Sequence, residues 1–264
     1  MQLVDIGINL VHASYDADRD EVIARARAAG VLQMVVTGSD LSSIARAVEL
    51  VRQHPGTLTA TAGIHPHHAL EHDDKATAAL RGWLERAEIT AAGECGLDYC
   101  RNYAPHEAQQ RSFRTQLELA AEYQRPVFLH QRDAHDDFVA ILKEFRPRLP
   151  RAVAHCFTGT LAQARASLDL DLHIGITGWI CDERRGAHLI ELVKFIPADR
   201  LMLETDGPYL LPRDLSPKPA TRRNEPMYLA HILRRVAAAR GQSPEQVAAD
   251  TTRVAREFFM LAAP

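Results

Sequence analysis

Short apolar runs recur along this chain about every thirty residues, and a segment of helical period follows each one. The runs end at Asp5, Thr37, His65, Glu94, His130, His155, Ile176 and Asp206, so successive ends lie 32, 28, 29, 36, 25, 21 and 30 residues apart. A (β/α)8 (TIM) barrel of about 250 residues needs eight such runs at about 31 residues per unit. Strict strand–helix alternation makes the sheet parallel, with helices outside it. A doubly wound open sheet is the competing architecture. It is disfavoured because no Gly-x-Gly-x-x-Gly follows the first run.

The intervening segments carry helical stripes. Ile44, Ala47, Val48 and Val51 fall at i, i+3, i+4 and i+7, and His54-Pro55-Gly56 stops that helix. Phe113, Leu117, Ala120 and Ala121 form a second stripe, opened by Pro105 and closed before Pro126. A third (Phe138, Ile141, Leu142, Phe145) ends at Pro147, and a fourth is Leu189, Leu192, Val193 and Ile196. After Asp206 the texture changes. Gly207 to Pro226 holds Pro208, Pro212, Pro217, Pro219 and Pro226 and reads as a long loop, a kind that is usually functional. Two helices close the chain, one striped by Leu229, Ile232, Leu233 and Val236, the other opened by Ser243-Pro244 and running to Phe259. No linker or low-complexity tract interrupts this pattern, so residues 1–264 are expected to form one domain.

Composition narrows the function. Lys+Arg 31 against Asp+Glu 34 gives a net charge of -3, which argues against a globally basic nucleic-acid binder but leaves room for a local basic patch. No run of 18 apolar residues is present, so no membrane-spanning helix is expected. Met1-Gln2-Leu3-Val4-Asp5 lacks the basic and apolar regions of a signal peptide. Cys95, Cys100, Cys156 and Cys181 form no CxxC pair and read as free thiols of a cytoplasmic protein.

The informative feature is positional. Asp5, His65, Glu94, His130, His155 and Asp206 are metal-ligand residue types at the ends of apolar runs. In a barrel those ends converge on one face, where active sites sit. Glu94, His130 and His155 together read as a metal site. Asp206 reads as a further ligand or as the carboxylate that orients and deprotonates a water, with an N-cap as the plain structural alternative. Glu204 shares its alternation parity and is placed beneath it. His65 reads as a ligand or as a hydrogen-bond donor to an anion, whereas His67 and His68 read as loop surface. His12, His54, His72, His173, His188 and His231 are assigned no role, and Cys95 and Cys156 read as packing residues.

The substrate signal lies in the loops. Arg213, Lys218, Arg222 and Arg223 face one acid, Asp214, between positions 213 and 223, and Arg101, Arg132, Arg184 and Arg185 also follow run ends. Arginines gathered on the catalytic face of an acidic protein suit a phosphate-bearing substrate, with solvated loop charge as the alternative. Arg184 and Arg185 stand beside Asp182 and Glu183 and are open to simple ion pairing. Tyr103, Tyr209 and Trp179 could stack on unpaired bases or simply pack.

Several segments carry a family resemblance across Asp5 to about Phe259. They are Asp5-Ile6-Gly7-Ile8-Asn9, Gly63-Ile64-His65-Pro66-His67, Gly93 to Asp98, His155-Cys156-Phe157-Thr158-Gly159, Gly178 to Arg185, Glu204 to Tyr209, and Arg223-Asn224-Glu225-Pro226. The chain resembles the TatD family of metal-dependent deoxyribonucleases. That resemblance implies a (β/α)8 barrel of the metallo-dependent hydrolase type. It implies a Mg²⁺-dependent nuclease with 3′-5′ exonuclease action on single-stranded DNA or RNA, and a role in DNA repair or fragment clearance. It implies Glu94, His130 and His155 as metal ligands, Asp206 as catalytic carboxylate or ligand, and His65 on substrate phosphate. Arg213, Arg222, Arg223 and Tyr209 are the remaining substrate-binding candidates, and the chain is expected to act as a monomer. Mn²⁺ and Zn²⁺ also suit His/carboxylate sites. Two departures stand out. Gly7-Ile8-Asn9 replaces the His-x-His of many relatives, which removes two imidazoles from one half of a two-metal site. Gly207 stands where Ala or Ser is commoner. The rival readings are a metal-dependent amidohydrolase acting on a small cyclic amide or ester, since fold alone does not fix function, and a barrel that binds a partner without catalysis.

Overall fold

The computed structural model describes residues 1–263. Strands and helices alternate as β1 (Leu3–Ile8), α1 (Arg19–Ala28), β2 (Val31–Val36), α2 (Leu41–Gln53), β3 (Leu58–Ala62), α3 (Asp74–Leu84), β4 (Ile89–Asp98), α4 (His106–Glu122), β5 (Val127–Arg132), α5 (His135–Phe145), β6 (Ala152–Ala154), α6 (Leu161–Asp169), β7 (His173–Ile176), α7 (Ala187–Phe195), β8 (Leu201–Leu203), α8 (Leu229–Arg240) and α9 (Pro244–Phe259). The strands form one sheet in the order β1-β2-β3-β4-β5-β6-β7-β8, and β8 also contacts β1. This is the (β/α)8 barrel that the spacing predicts. Each expected helical stripe falls on a helix, except that α7 stops at Phe195 and leaves Ile196 of the fourth stripe in extended backbone, and no helix of the described residues is long and apolar enough to cross a membrane.

Cα packing divides the chain into two compact units. The first holds Met1–Val36, Cys156–Ala164 and the chain from Ile174 onward, and the second holds Thr37–His155 and Arg165–His173. In the first unit Ile6, Ile8, Tyr15, Met34, Phe258 and Phe259 are fully buried. In the second, Phe113 of α4 and Phe138 of α5 lie with near-parallel rings at 5.6 Å, and both are fully buried. Each such side chain contributes about 1.5–3 kcal/mol relative to exposure.

The strand ends differ from the expected ones in an informative way. β4 does not stop at Glu94 but runs to Asp98, and β5 runs past His130 to Arg132. Two glycines permit the long β4–β5 pairing. Gly93 and Gly96 adopt φ of 125° and 146°, and a Cβ would lie 2.2 Å from the Phe128 carbonyl oxygen in one case and 1.9 Å from that of His130 in the other. Only a residue without a Cβ allows backbones so close in that conformation. The resulting register sets Gly96 beside His130 and Asp98 beside Arg132. Asp5 likewise lies within β1, not at its end.

Candidate metal centre

Six titratable side chains of the second unit meet around β3 to β6. His65 and His67 follow β3, Glu94 and Asp98 lie in β4, His130 lies in β5, and His155 follows β6 directly. Glu94 is the hub. Its Oε1 lies 2.8 Å from His155 Nε2, 3.0 Å from His130 Nδ1 and 3.3 Å from His65 Nε2. Ligand atoms of His65, Glu94 and His130 are close enough together to hold one ion, and His155 reaches the same Glu94 oxygen. One carboxylate oxygen facing imidazole nitrogens in a buried setting is a donor set that could hold a divalent cation.

Asp98 forms a second hub. Its Oδ2 lies 2.8 Å from His67 Nε2 and 3.3 Å from His130 Nε2, while its Oδ1 accepts the backbone N–H groups of Cys100 and Arg101. His130 therefore stands between two carboxylates, with Nδ1 toward Glu94 and Nε2 toward Asp98. A carboxylate behind a ligating imidazole fixes its tautomer and ring orientation. The ring of His155 packs on Phe128 at 4.4 Å, and that of His65 meets His130 edge-on at 4.5 Å.

The backbone beneath this cluster is held by two buried amides of α4. Gln116 Oε1 accepts the N–H of Ile64 at 2.7 Å, and its Nε2 donates to the Ile64 carbonyl at 2.9 Å. Gln109 makes the same pair of contacts with Asp98, at 2.8 and 3.1 Å. The two glutamines are seven residues apart and so lie on one helix face. They fix the segment entering His65 and the end of β4.

The charge states follow from the packing. Burial alone would raise the Glu94 carboxyl, but the imidazoles of His65, His155 and His130 outweigh it and hold it well below the usual range. Burial likewise opposes ionisation of Asp98, and His130 and His67 hold it down. His65 is pushed down to about 4, chiefly by burial, so it is neutral near pH 7. Its Nδ1 accepts the His67 N–H, which leaves the proton on Nε2, toward Glu94. That arrangement suits a donor to an anion better than a ligand. For His130 burial lowers the pKa, but Asp98 and Glu94 prevail and raise it.

His67 corrects the surface reading, because it belongs to this cluster. His68 agrees with it, since it pairs with Glu71 at the surface. Asp98 was not singled out by sequence, although a strand places residues 94, 96 and 98 on one face.

The first unit holds the remaining expected site residues. Asp206 has φ +54°, donates its N–H to the Gly7 carbonyl at 2.8 Å, and accepts from Asn9 Nδ2 at 3.2 Å. Glu204 accepts the N–H of Cys156. Asp5 is sealed, accepts from the Thr205 N–H and hydroxyl and from the Gly7 N–H, and burial pushes it up to about 8. Tyr209 is exposed and meets His12 edge-on. Arg223 binds Asp18 through both terminal nitrogens at 2.7 Å and also reaches Glu225 and the Ser14 carbonyl. Arg213 faces Asp182 at 3.7 Å, alongside Arg184 and Arg185, so the expected Arg184/Arg185 ion pairing is present. Arg222 is exposed and makes no ion pair among the described residues. Arg185 covers the Trp179 ring at 4.3 Å, whereas Tyr103 of the second unit is exposed beside His67. All four cysteines are free thiols.

Eight parallel strands, with carboxylate and imidazole side chains gathered around β3 to β6 that could hold a metal ion, define a (β/α)8 protein of the metallo-dependent hydrolase type. The family model for TatD related DNase matches residues 4–260, and the chain belongs to that family. It is 51% identical over 259 residues to the "3'-5' ssDNA/RNA exonuclease TatD" of Erwinia tasmaniensis, covering 98% of this chain and 100% of that protein. Among solved structures, it resembles the TatD homolog YJJV from Escherichia coli K12 with a TM-score of 0.89 at 28% identity, covering 98% of each chain. It resembles a TatD family hydrolase from Entamoeba histolytica with a TM-score of 0.91 at 25% identity, covering 99% of each chain.

Proposed function

We propose that this chain is a metal-dependent exonuclease that hydrolyses phosphodiester bonds from the 3′ end of single-stranded DNA or RNA, acting as one barrel domain. The observation that carries this reading is the Glu94 carboxylate oxygen within 3.3 Å of nitrogens from His65, His130 and His155. The name of the Erwinia relative supports the substrate and polarity.

The donor set fits a divalent ion. Glu94, His130 and His155 would hold it, and Asp206 is a further ligand or the catalytic carboxylate. When bound, such an ion supplies Lewis-acid polarisation of a phosphoryl oxygen. Mg²⁺ is the expected native ion, with Mn²⁺ and Zn²⁺ as functional substitutes. Asp98 orients His130 and keeps its Nδ1 turned to Glu94. His65, neutral and carrying its proton on Nε2, donates to a phosphate oxygen. Asp206, held by Asn9 and Gly7, takes the proton of the attacking water. It follows β8, at the strand ends where barrels of this type place catalytic groups. Arg222, Arg213 and Tyr209 contact the strand, chiefly at phosphates, so base preference is slight, whereas Arg223 is committed to Asp18 and Glu225. The reading places the protein in the cytoplasm as a monomer that clears DNA fragments or serves repair.

A 5′-labelled single-stranded oligonucleotide tests it. With Mg²⁺ the wild type produces a ladder shortening from the 3′ end, and EDTA abolishes it. Glu94→Gln lowers the rate by at least about 100-fold. A metal-independent ladder, or one that Glu94→Gln leaves intact, overturns the proposal.

A further inference from the structure

A second set of ligand-bearing side chains meets in the first unit, outside the nuclease machinery. Cys181 closes the 3-10 turn Gly178–Cys181 after β7, Asp214 lies in the proline-rich loop after β8, and His231 lies near the start of α8. A ligand atom of each lies within 4.8 Å of the other two, and His231 Nε2 is 2.7 Å from Asp214 Oδ1. Cys181 is buried, His231 is half-buried and Asp214 is at the surface. We propose that Cys181, Asp214 and His231 form a site for a soft divalent cation of the Zn²⁺ class, which fastens the loop after β8 to α8 and to the turn after β7.

Donor chemistry selects the ion. Thiolate and imidazole with one carboxylate suit Zn²⁺, whereas Mg²⁺ prefers an all-oxygen shell. Bond lengths of about 2.0–2.3 Å set tetrahedral ligand atoms roughly 3.2–3.8 Å apart. Binding therefore needs the His231–Asp214 contact to open slightly and the thiol to approach, both of which are side-chain movements. The exposure of Asp214 leaves room for water as a fourth ligand. A neutral imidazole, a thiolate and a carboxylate carry two negative charges, which a dication balances, although Arg235 also acts on Cys181.

A nucleophilic cysteine fits these residues less well. Burial and the facing Asp214 carboxylate push the Cys181 thiol up, away from a reactive thiolate, and its hydrogen-bond partner is Asp214 and not the imidazole. On metal binding the S–H bond breaks, the sulfur–metal bond forms and the proton leaves to solvent. The loop between β8 and α8 has no regular element before Pro226 and carries Arg213 and Arg222. Side-chain ties of this kind are what order such a segment.

Cobalt reports this site separately from the Glu94 cluster, whose ligands are nitrogen and oxygen only. Co²⁺ added to the full chain should produce a near-ultraviolet thiolate-to-cobalt charge-transfer band. Glu94→Gln should retain that band, whereas Cys181→Ser and the half-buried variant His231→Gln should lose it. Both of these variants should bind one Zn²⁺ fewer per chain than the wild type and still shorten an oligonucleotide with Mg²⁺. The proposal fails if the wild type shows no thiolate band, or if the band and the zinc stoichiometry survive in Cys181→Ser.

Discussion

His67 Nε2 lies 2.8 Å from Asp98 Oδ2, and the same oxygen lies 3.3 Å from His130 Nε2. Asp98 thus orients two imidazoles of a site it does not itself centre. Asp98→Asn keeps the shape but can donate to His130 Nε2, which favours the wrong tautomer. The expected result is a roughly 10–100-fold weaker apparent affinity for Mn²⁺, with most of the rate recovered at saturating metal. Activity measured against metal concentration checks this. An unchanged half-saturation point would show that Asp98 serves the fold alone.

Metal affinity should depend on pH with a definite sign. Despite burial, His130 is raised above its ordinary value by Asp98 and Glu94, so without an ion it holds its proton to higher pH than a free imidazole does. Protons compete with the ion below that pKa. Affinity therefore rises with pH, by about tenfold per unit, and levels off above it. His65, already neutral at about 4, adds nothing in this window. Calorimetry in buffers of different ionisation heat should find proton release on ion binding below that pKa and none well above it.

The glycines separate backbone demand from empty space. Gly96→Ala places a Cβ 1.9 Å from the His130 carbonyl oxygen at a φ of 146°. It should cost at least about 3 kcal/mol, or roughly 6–12 °C in Tm for a domain of this size. Gly82, inside α3, has nothing within 4 Å of a Cβ. Gly82→Ala should stabilise by about 0.5–1 kcal/mol. Thermal melts of the two variants check the contrast.

Arg222 and Arg223 should behave differently despite adjacency. Arg223 is tied to Asp18 and Glu225, which a truncation would leave with Arg25 alone. Arg223→Ala should cost about 1–2 kcal/mol and lower Tm by roughly 2–8 °C. Arg222→Ala should leave Tm unchanged, raise KM for single-stranded DNA severalfold and flatten its salt dependence by about one phosphate contact. Equal melts for the two variants would contradict this division.

The barrel was legible because its signal is periodic. Apolar runs near thirty residues apart, with helical stripes between them, leave few folds to choose from. Glu94, His130 and His155 were legible because polar residues at the ends of apolar runs are unusual. Asp98 was not, because its place depends on β4 continuing past Glu94, and that continuation needs the close backbone approach at Gly93 and Gly96. His67 read as surface because Pro66 marks a turn, while its partner Asp98 lies 31 residues on. Arg223 looked like a free loop cation because Asp18 is 205 residues away. The glutamines of α4 left a faint signal, two amides seven residues apart on a face that also buries Phe113 and Ala120.

The central claim is that Glu94 shares one divalent ion with His130 and His155. Anomalous diffraction from crystals grown with Mn²⁺ tests it most directly. The account predicts a strong peak about 2.0–2.3 Å from a Glu94 carboxylate oxygen and from one nitrogen each of His130 and His155. Those three side chains retaining their direct contacts, with no peak between them at saturating Mn²⁺, would contradict it.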